Sequence, residues 1–234
     1  RTKLGSNTLT LTANNTYAGT TTISGGTLVL QNNAPNPTSK TFAGTGALRI
    51  ESAGNDFTSA FSTSGWTFGS TLTGLTIGKS ATAADGTSDV GVTIASAITV
   101  NGPVNISGGL VTLNAAITTS NTTTGDISIT TSGLSGNGGI SLADGRALTI
   151  TQSGTSNYAG VIAGSNATLT KAGAGRLNLI AANTFTGGTT VSAGTLGLYT
   201  NAAAGTGDIT FANNTTLMLG RAVTAIANNM SLTG

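Results

Sequence analysis

Seven carboxylates supply all the acidic side chains of this 234-residue chain, and any acid–base chemistry would depend on them. They are Glu51, Asp56, Asp85, Asp89, Asp126, Asp144 and Asp208. Glycoside hydrolysis needs two carboxyl groups about 5 to 10 Å apart, and only the pairs Glu51/Asp56 and Asp85/Asp89 lie close in sequence. Histidine is absent and no Gly-x-Ser-x-Gly turn occurs, which excludes a Ser-His-Asp triad. The sequence therefore predicts a protein that is not an enzyme and has no catalytic residue.

Metal binding has one weak candidate, the segment 79–89 with its two acids Asp85 and Asp89. A hard cation such as Ca²⁺ takes about six or more oxygen ligands, and the spacing of these acids is not that of an EF-hand. Cysteine and histidine, which commonly bind transition metals, are both absent. The sequence predicts no metal site and no cofactor, and a solvated loop is the preferred interpretation of this segment.

Aromatic side chains are concentrated in one segment, residues 52–70, which holds Phe57, Phe61, Trp66 and Phe68. One interpretation is an exposed aromatic surface that contacts a glycan or a protein partner. The other is a core plug, or an inserted loop that packs on the flank of the fold. We favour the second, because aromatic rings supply buried area wherever they can.

Short strands must position these groups, and the clearest strands occur in a sequence that is present twice. Residues 3–32 align without a gap with residues 171–200, and fifteen of the thirty positions are identical. Each copy contains two-residue alternation, as in Thr27-Leu28-Val29-Leu30, which places apolar side chains on one face of a strand. Such short strands cannot bury an apolar face alone and need similar neighbours above and below.

This pattern predicts an all-β fold, a right-handed parallel β-helix with on the order of ten rungs. At about 4.8 Å per rung, its body would be roughly 50 Å long. The alternatives are an antiparallel sandwich or a β-prism, but the Asn-Gly and Asp-Gly dipeptides typical of hairpins are few. We expect one repeat segment over residues 1–234, with inserted loops near 34–41, 52–70 and 79–89.

The second copy has a Lys-x-Gly-x-Gly-x-Leu-x-Leu pattern at Lys171, Gly173, Gly175, Leu177 and Leu179, followed by Asn183–Val191 and Gly194–Leu196. This pattern resembles the passenger-associated repeat of bacterial autotransporters. The copy at 3–32 departs slightly, with Asn7 and Thr20 where that pattern has glycine. The middle of the chain, especially Ile98–Leu113, is similar to filamentous-haemagglutinin-like exoproteins. Both likenesses imply a parallel β-helix on the bacterial cell surface and carry little information on the ligand.

Composition narrows the partners of the chain. Charged residues are 7% and the formal net charge is +2, against roughly 25% charged residues in an average domain. No cluster of Lys and Arg forms the basic stripe that nucleic-acid binding requires. No apolar run reaches the roughly 18 residues of a membrane span. We therefore expect no nucleic-acid partner and no transmembrane segment in these residues, which we interpret as an internal fragment of a larger exported protein.

Three functions are consistent with a β-helix of this composition. The leading prediction is a rigid extracellular stalk or passenger segment of a large bacterial surface protein, adhesin-like and exported across the outer membrane. Its partners would be a host or neighbouring cell surface, a glycan or matrix. The alternative is a self-assembling subunit of an extracellular filament, sheath or surface layer, formed by head-to-tail association through strand edges. A minor alternative is an ice-binding solenoid that displays Thr-x-Thr pairs.

Overall fold

Short β-strands and turns make up the described chain. The computed structural model describes residues 1–13, 19–31, 39–54, 57–79 and 90–233. Within these ranges there are 25 strands and no α-helix. Consequently none of the described residues forms a helix that could span a membrane.

The strands, numbered in chain order, stack into three faces. The first face holds β1 (Thr2–Lys3), β3 (Thr21–Ile23), β5 (Thr41–Gly44), β8 (Thr67–Phe68), β11 (Ile98–Val100), β13 (Ile117–Thr119), β15 (Ile140–Ser141) and β18 (Ile162–Ala163). The second face holds β2 (Thr8–Leu11), β4 (Thr27–Gln31), β6 (Ala47–Glu51), β9 (Gly74–Ile77), β12 (Val104–Leu113), β14 (Ile127–Gly136), β16 (Ala147–Gln152), β19 (Thr168–Ala172), β21 (Thr189–Val191), β23 (Ile209–Ala212) and β25 (Met230–Thr233). The third face holds the distal halves of β12 and β14 with β7 (Phe61–Ser62), β10 (Val92–Ile94), β17 (Thr155–Tyr158), β20 (Arg176–Leu179), β22 (Thr195–Leu198) and β24 (Thr216–Leu219).

Strand pairing is parallel at every junction between the described strands. The second face runs unbroken through eleven strands, which corresponds to about ten turns. A sandwich or prism built from hairpins would contain antiparallel pairs. The predicted parallel β-helix is therefore confirmed, together with its number of turns.

The core consists of aliphatic columns that run along the solenoid axis. On the second face, Leu48, Leu75, Val104, Ile127 and Leu148 pair in register from turn to turn. All five are at most 1% exposed. Each side chain is covered by the equivalent side chain of the turn before and the turn after, so a strand of four residues can bury its apolar face completely.

The two sequence copies occupy different faces of the solenoid. In the first copy, β1 and β3 lie on the first face, and β2 and β4 lie on the second. In the second copy, the equivalent strands β19 and β21 lie on the second face, and β20 and β22 lie on the third. The offset of 168 residues from one copy to the other thus spans a whole number of turns plus one face. The same repeat sequence can form strands on different faces, because each strand requires only a parallel neighbour in register.

Of the three predicted loops, one needs correction. Residues 52–70 are not a single loop, since they contain β7 and β8. In the segment 34–41, residues 34–38 lie outside the described residues, while Lys40 is buried and β5 begins at Thr41. In the segment 79–89, only Lys79 is described.

Candidate functional site

Each of the four described carboxylates has its own hydrogen-bond or ion-pair partner. Glu51 is buried and its Oε2 lies 2.6 Å from Nη2 of Arg49. Asp144 and Asp208 each accept a hydrogen bond from an asparagine side chain, and Asp126 Oδ1 accepts one from the backbone of Ala147. The ranges that the structure covers contain no group of three metal-ligating residues. Asp56, Asp85 and Asp89 lie outside the described residues, so the expectation that the chain is not an enzyme stays a prediction.

The four aromatic residues singled out in the sequence are packed in the core. Phe57, Phe61, Trp66 and Phe68 are between 2% and 7% exposed. Phe57 stacks on Phe61 at 4.9 Å between ring centroids, and Phe61 meets the edge of Trp66 at 5.5 Å. The interpretation as an exposed contact surface is corrected by this burial, because the rings face one another and not solvent. They plug the interior where β7 and β8 form.

The lysine of the second copy is a buried cation that makes three hydrogen bonds to the backbone. Lys171 lies on β19 in an inward column, paired with Ile150 before it and Val191 after it, and it is fully buried. Its Nζ donates to the carbonyl oxygens of Ala172 and Gly173, both at 2.8 Å, and of Ala193 at 3.2 Å. The ammonium thus ties the turn after β19 to the turn after β21. We call this arrangement a lysine clamp.

The first copy contains the same clamp. Lys3 is 6% exposed, and its Nζ donates to the carbonyl oxygens of Leu4 at 3.0 Å, Gly5 at 2.7 Å and Gly25 at 2.9 Å. These three acceptors stand 168 positions before the acceptors of Lys171. Turn carbonyls between two strands lack ladder partners, and a buried carbonyl without a donor costs free energy. One ammonium with three donors satisfies three of them.

A polar groove lies on the outer side of the second face. It has a volume of about 490 Å³ and crosses β6, β9, β12 and β14. Arg49 and Lys79 are its charged residues. Its floor is made of short polar side chains that repeat at one position of successive strands. The lining residues are Arg49, Thr76, Gly78, Lys79, Asn105, Ser107, Ser128 and Thr130.

Comparison with known proteins identifies the repeated segment. Residues 2–30 and 169–198 match the family model described as passenger-associated-transport-repeat. These segments are autotransporter passenger repeats. The family implies an exported, surface-associated protein. No curated protein and no solved structure matches the chain, and the likeness of Ile98–Leu113 to filamentous-haemagglutinin-like exoproteins stays a prediction.

The passenger-repeat lysine at position 171 has an altered proton affinity. Burial lowers the pKa of Lys171 from its ordinary 10.5 to about 8, because the charged ammonium is removed from water. Among the described residues no carboxylate bonds to it, so its charge is balanced by three carbonyl dipoles alone. Burial, with a smaller contribution from the charge of Arg1, also lowers the pKa of Lys40.

An asparagine of the same passenger repeat connects three consecutive turns. Asn183 is buried, and its Oδ1 accepts from the backbone N–H of Ile162 at 2.8 Å. Its Nδ2 donates to the carbonyl oxygen of Ala203 in the turn that follows. Like the lysine clamp, this side chain replaces the missing ladder bonds at a place where the chain turns.

The hydroxyls predicted to form a Thr-x-Thr surface give a single column. Thr149, Thr170, Thr190 and Thr210 pair in register on the outer side of the second face. The neighbouring positions break the pattern, since Thr151 pairs with Ala172 and Thr168 with Ala147. An ice-binding surface with two adjacent Thr columns is therefore not formed at these positions.

Sequence reasoning missed the role of the lysines, although the signal was present. The alternation in Thr168-Leu169-Thr170-Lys171 puts Lys171 on the same side as Leu169, which is the interior. A lysine at an inward position of a strand must find buried acceptors for its ammonium. The groove carried no such signal, because its lining comes from four strands that are far apart in sequence.

Proposed function

We propose that this chain is a rigid, non-catalytic segment of an adhesin-like surface passenger. It would hold contact surfaces at a fixed distance from the bacterial cell and face a host cell, a neighbouring cell, a glycan or matrix. The observation that supports the proposal most is the unbroken parallel sheet of eleven strands on the second face. A parallel ladder closed by core columns and lysine clamps resists bending along its length, as a spacer must.

The test combines shape with adhesion. Electron microscopy of the purified chain is expected to show single rods roughly 50 Å long, at about 4.8 Å per turn. Beads coated with the chain are expected to adhere to a susceptible cell surface. Replacing residues 34–38 or 80–89 by Gly-Ser linkers is expected to reduce adhesion if these segments make the contact. Residues 52–70 are unsuitable for replacement, because Phe57, Phe61 and Trp66 belong to the core.

In a second candidate function, the filament subunit, chains would join through the apolar residues of the outermost described turns. Leu9 is 43% exposed near one end, and Met230 and Leu232 are 49% and 84% exposed near the other. A further turn stacked on either end would cover these side chains. Sedimentation and microscopy separate the two functions: concentration-dependent end-to-end fibres would support the filament subunit, and rods that stay monomeric would support the stalk.

A further inference from the structure

We propose that the polar groove on the second face binds an anionic oligosaccharide that lies along the solenoid axis. The inference rests on the proposed surface function and names the chemical class of one partner. The groove is defined by the eight residues given above, all within the described ranges.

The hydrogen-bonding groups of the groove form two parallel columns. Thr76, Asn105 and Ser128 pair in register on β9, β12 and β14, and Ser107 pairs with Thr130 two positions further along. Successive strands are about 4.8 Å apart, and alternate residues of one strand are about 7 Å apart. The groove therefore presents a grid of hydroxyl and amide groups that can both donate and accept. Sugar rings carry hydroxyl groups along both edges and suit such a grid.

The positive charges of the groove favour an acidic sugar over a neutral one. Arg49 and Lys79 line the groove, and none of its described lining residues is acidic. Glu51 engages the Nη2 of Arg49 at 2.6 Å from outside the lining set. The guanidinium has five N–H donors in a planar fork, so this contact leaves donors for a carboxylate or sulfate. Lys79 is anchored at the groove by a 2.6 Å hydrogen bond from Nζ to the carbonyl oxygen of Gly54.

The absence of aromatic rings from the described lining also favours an acidic sugar. Neutral sugars commonly depend on an aromatic ring surface for affinity, whereas the side chains of this lining are hydroxyl, amide and cationic groups. Further along the same column, Thr170, Thr190 and Thr210 carry hydroxyls without a cation in register. These three threonines therefore give a reference position in the same column without a charged side chain.

The test is titration calorimetry on the whole chain with paired probes. A tetramer of galacturonate is compared with its neutral methyl ester, and a dextran sulfate oligomer is compared with dextran. We expect the anionic member of at least one pair to bind in the micromolar to millimolar range and its neutral partner to bind at least tenfold more weakly. The affinity should fall as NaCl is raised, since exposed charges are screened. The carboxylated and sulfated pairs distinguish uronate from sulfate recognition.

Matched variants locate the site. Asn105→Asp places a negative charge in the groove, and Thr190→Asp places one at the same register outside it; both positions are exposed. We expect Asn105→Asp to weaken anion binding about tenfold, or about 1.4 kcal/mol, and Thr190→Asp to change it less than twofold. Equal effects of the two variants, equal binding of neutral and anionic probes, or no binding at all would overturn the proposal. Monomeric rods that adhere to cells would support the stalk function even if the groove binds nothing.

Discussion

The two passenger repeats carry the same residues in different surroundings. The second repeat lies inside the solenoid, so that β20 pairs with β17 on one side and with β22 on the other. In the first repeat, β2 pairs with β4 on one side, and no other described strand pairs with it. Leu177 is accordingly fully buried, whereas the equivalent Leu9 is 43% exposed.

The exposure of the clamp lysines differs less between the two repeats than the exposure of the leucines does. Lys3 is 6% exposed and Lys171 is fully buried, and each donates to three equivalent carbonyl oxygens. The clamp is a contact between one turn and the next turn along the chain, which both repeats possess. Burial of leucine needs a turn on both sides, and among the described strands only those of the second repeat have one. The stability of a repeat therefore depends both on its own residues and on the turns that stack against it.

Truncating the matched leucines should give the largest effect. Leu177→Ala leaves a cavity between two stacked turns, and we expect it to lower the free energy of unfolding by about 2–5 kcal/mol. Leu9→Ala removes a side chain that water already reaches, and we expect a loss of about 1 kcal/mol or less. Urea denaturation followed by circular dichroism measures both. Equal losses would contradict the view that a neighbouring turn supplies the burial.

Much of this fold could be predicted, since two-residue alternation and the repeat specify parallel strands stacked in register. The sequence favoured burial of Phe61 and Trp66 but did not decide it, because an aromatic segment is compatible with either the core or the surface. The face on which each repeat lies could not be predicted. It depends on the summed length of every intervening turn, and a single added residue in a corner changes it. The groove could not be predicted for the same reason, since Arg49 and Ser128 line one surface only after the three intervening pairings have formed.

Two equivalent glycines allow the backbones of the two repeats to be compared. Gly5 and Gly173 hold equivalent positions with φ of +76° and +77°, where a side chain is strained by about 1–2 kcal/mol. A Cβ at Gly173 would also lie 2.4 Å from the carbonyl oxygen of Gln152 in the preceding turn, whereas a Cβ at Gly5 would meet no atom within 4 Å. We expect Gly173→Ala to cost roughly 1–2 kcal/mol more than Gly5→Ala. Thermal unfolding of the two variants measures the difference, and equal midpoints would show that the preceding turn yields without cost.

A third comparison concerns the charge of the lysine clamp at Lys171. The pKa of Lys171 is about 8 in the folded chain and 10.5 ordinarily, so between these values the unfolded chain binds more protons than the folded one. The free energy of unfolding should therefore rise as the pH increases from about 8 to about 10, by no more than about 1.4 kcal/mol per pH unit. Below pH 8 both states are protonated at this residue, and the cost of the buried charge is fully present.

Lys171→Met isolates this contribution, because Lys40, whose pKa is also lowered, titrates in both proteins. We expect the pH dependence to be flatter in the variant, as measured by urea denaturation at pH 7, 8, 9 and 10. The variant should be less stable than the parent chain at every pH, since three turn carbonyls lose their donor. If parent and variant show the same slope, the ammonium of Lys171 keeps its ordinary proton affinity and the three carbonyl dipoles fully compensate its burial.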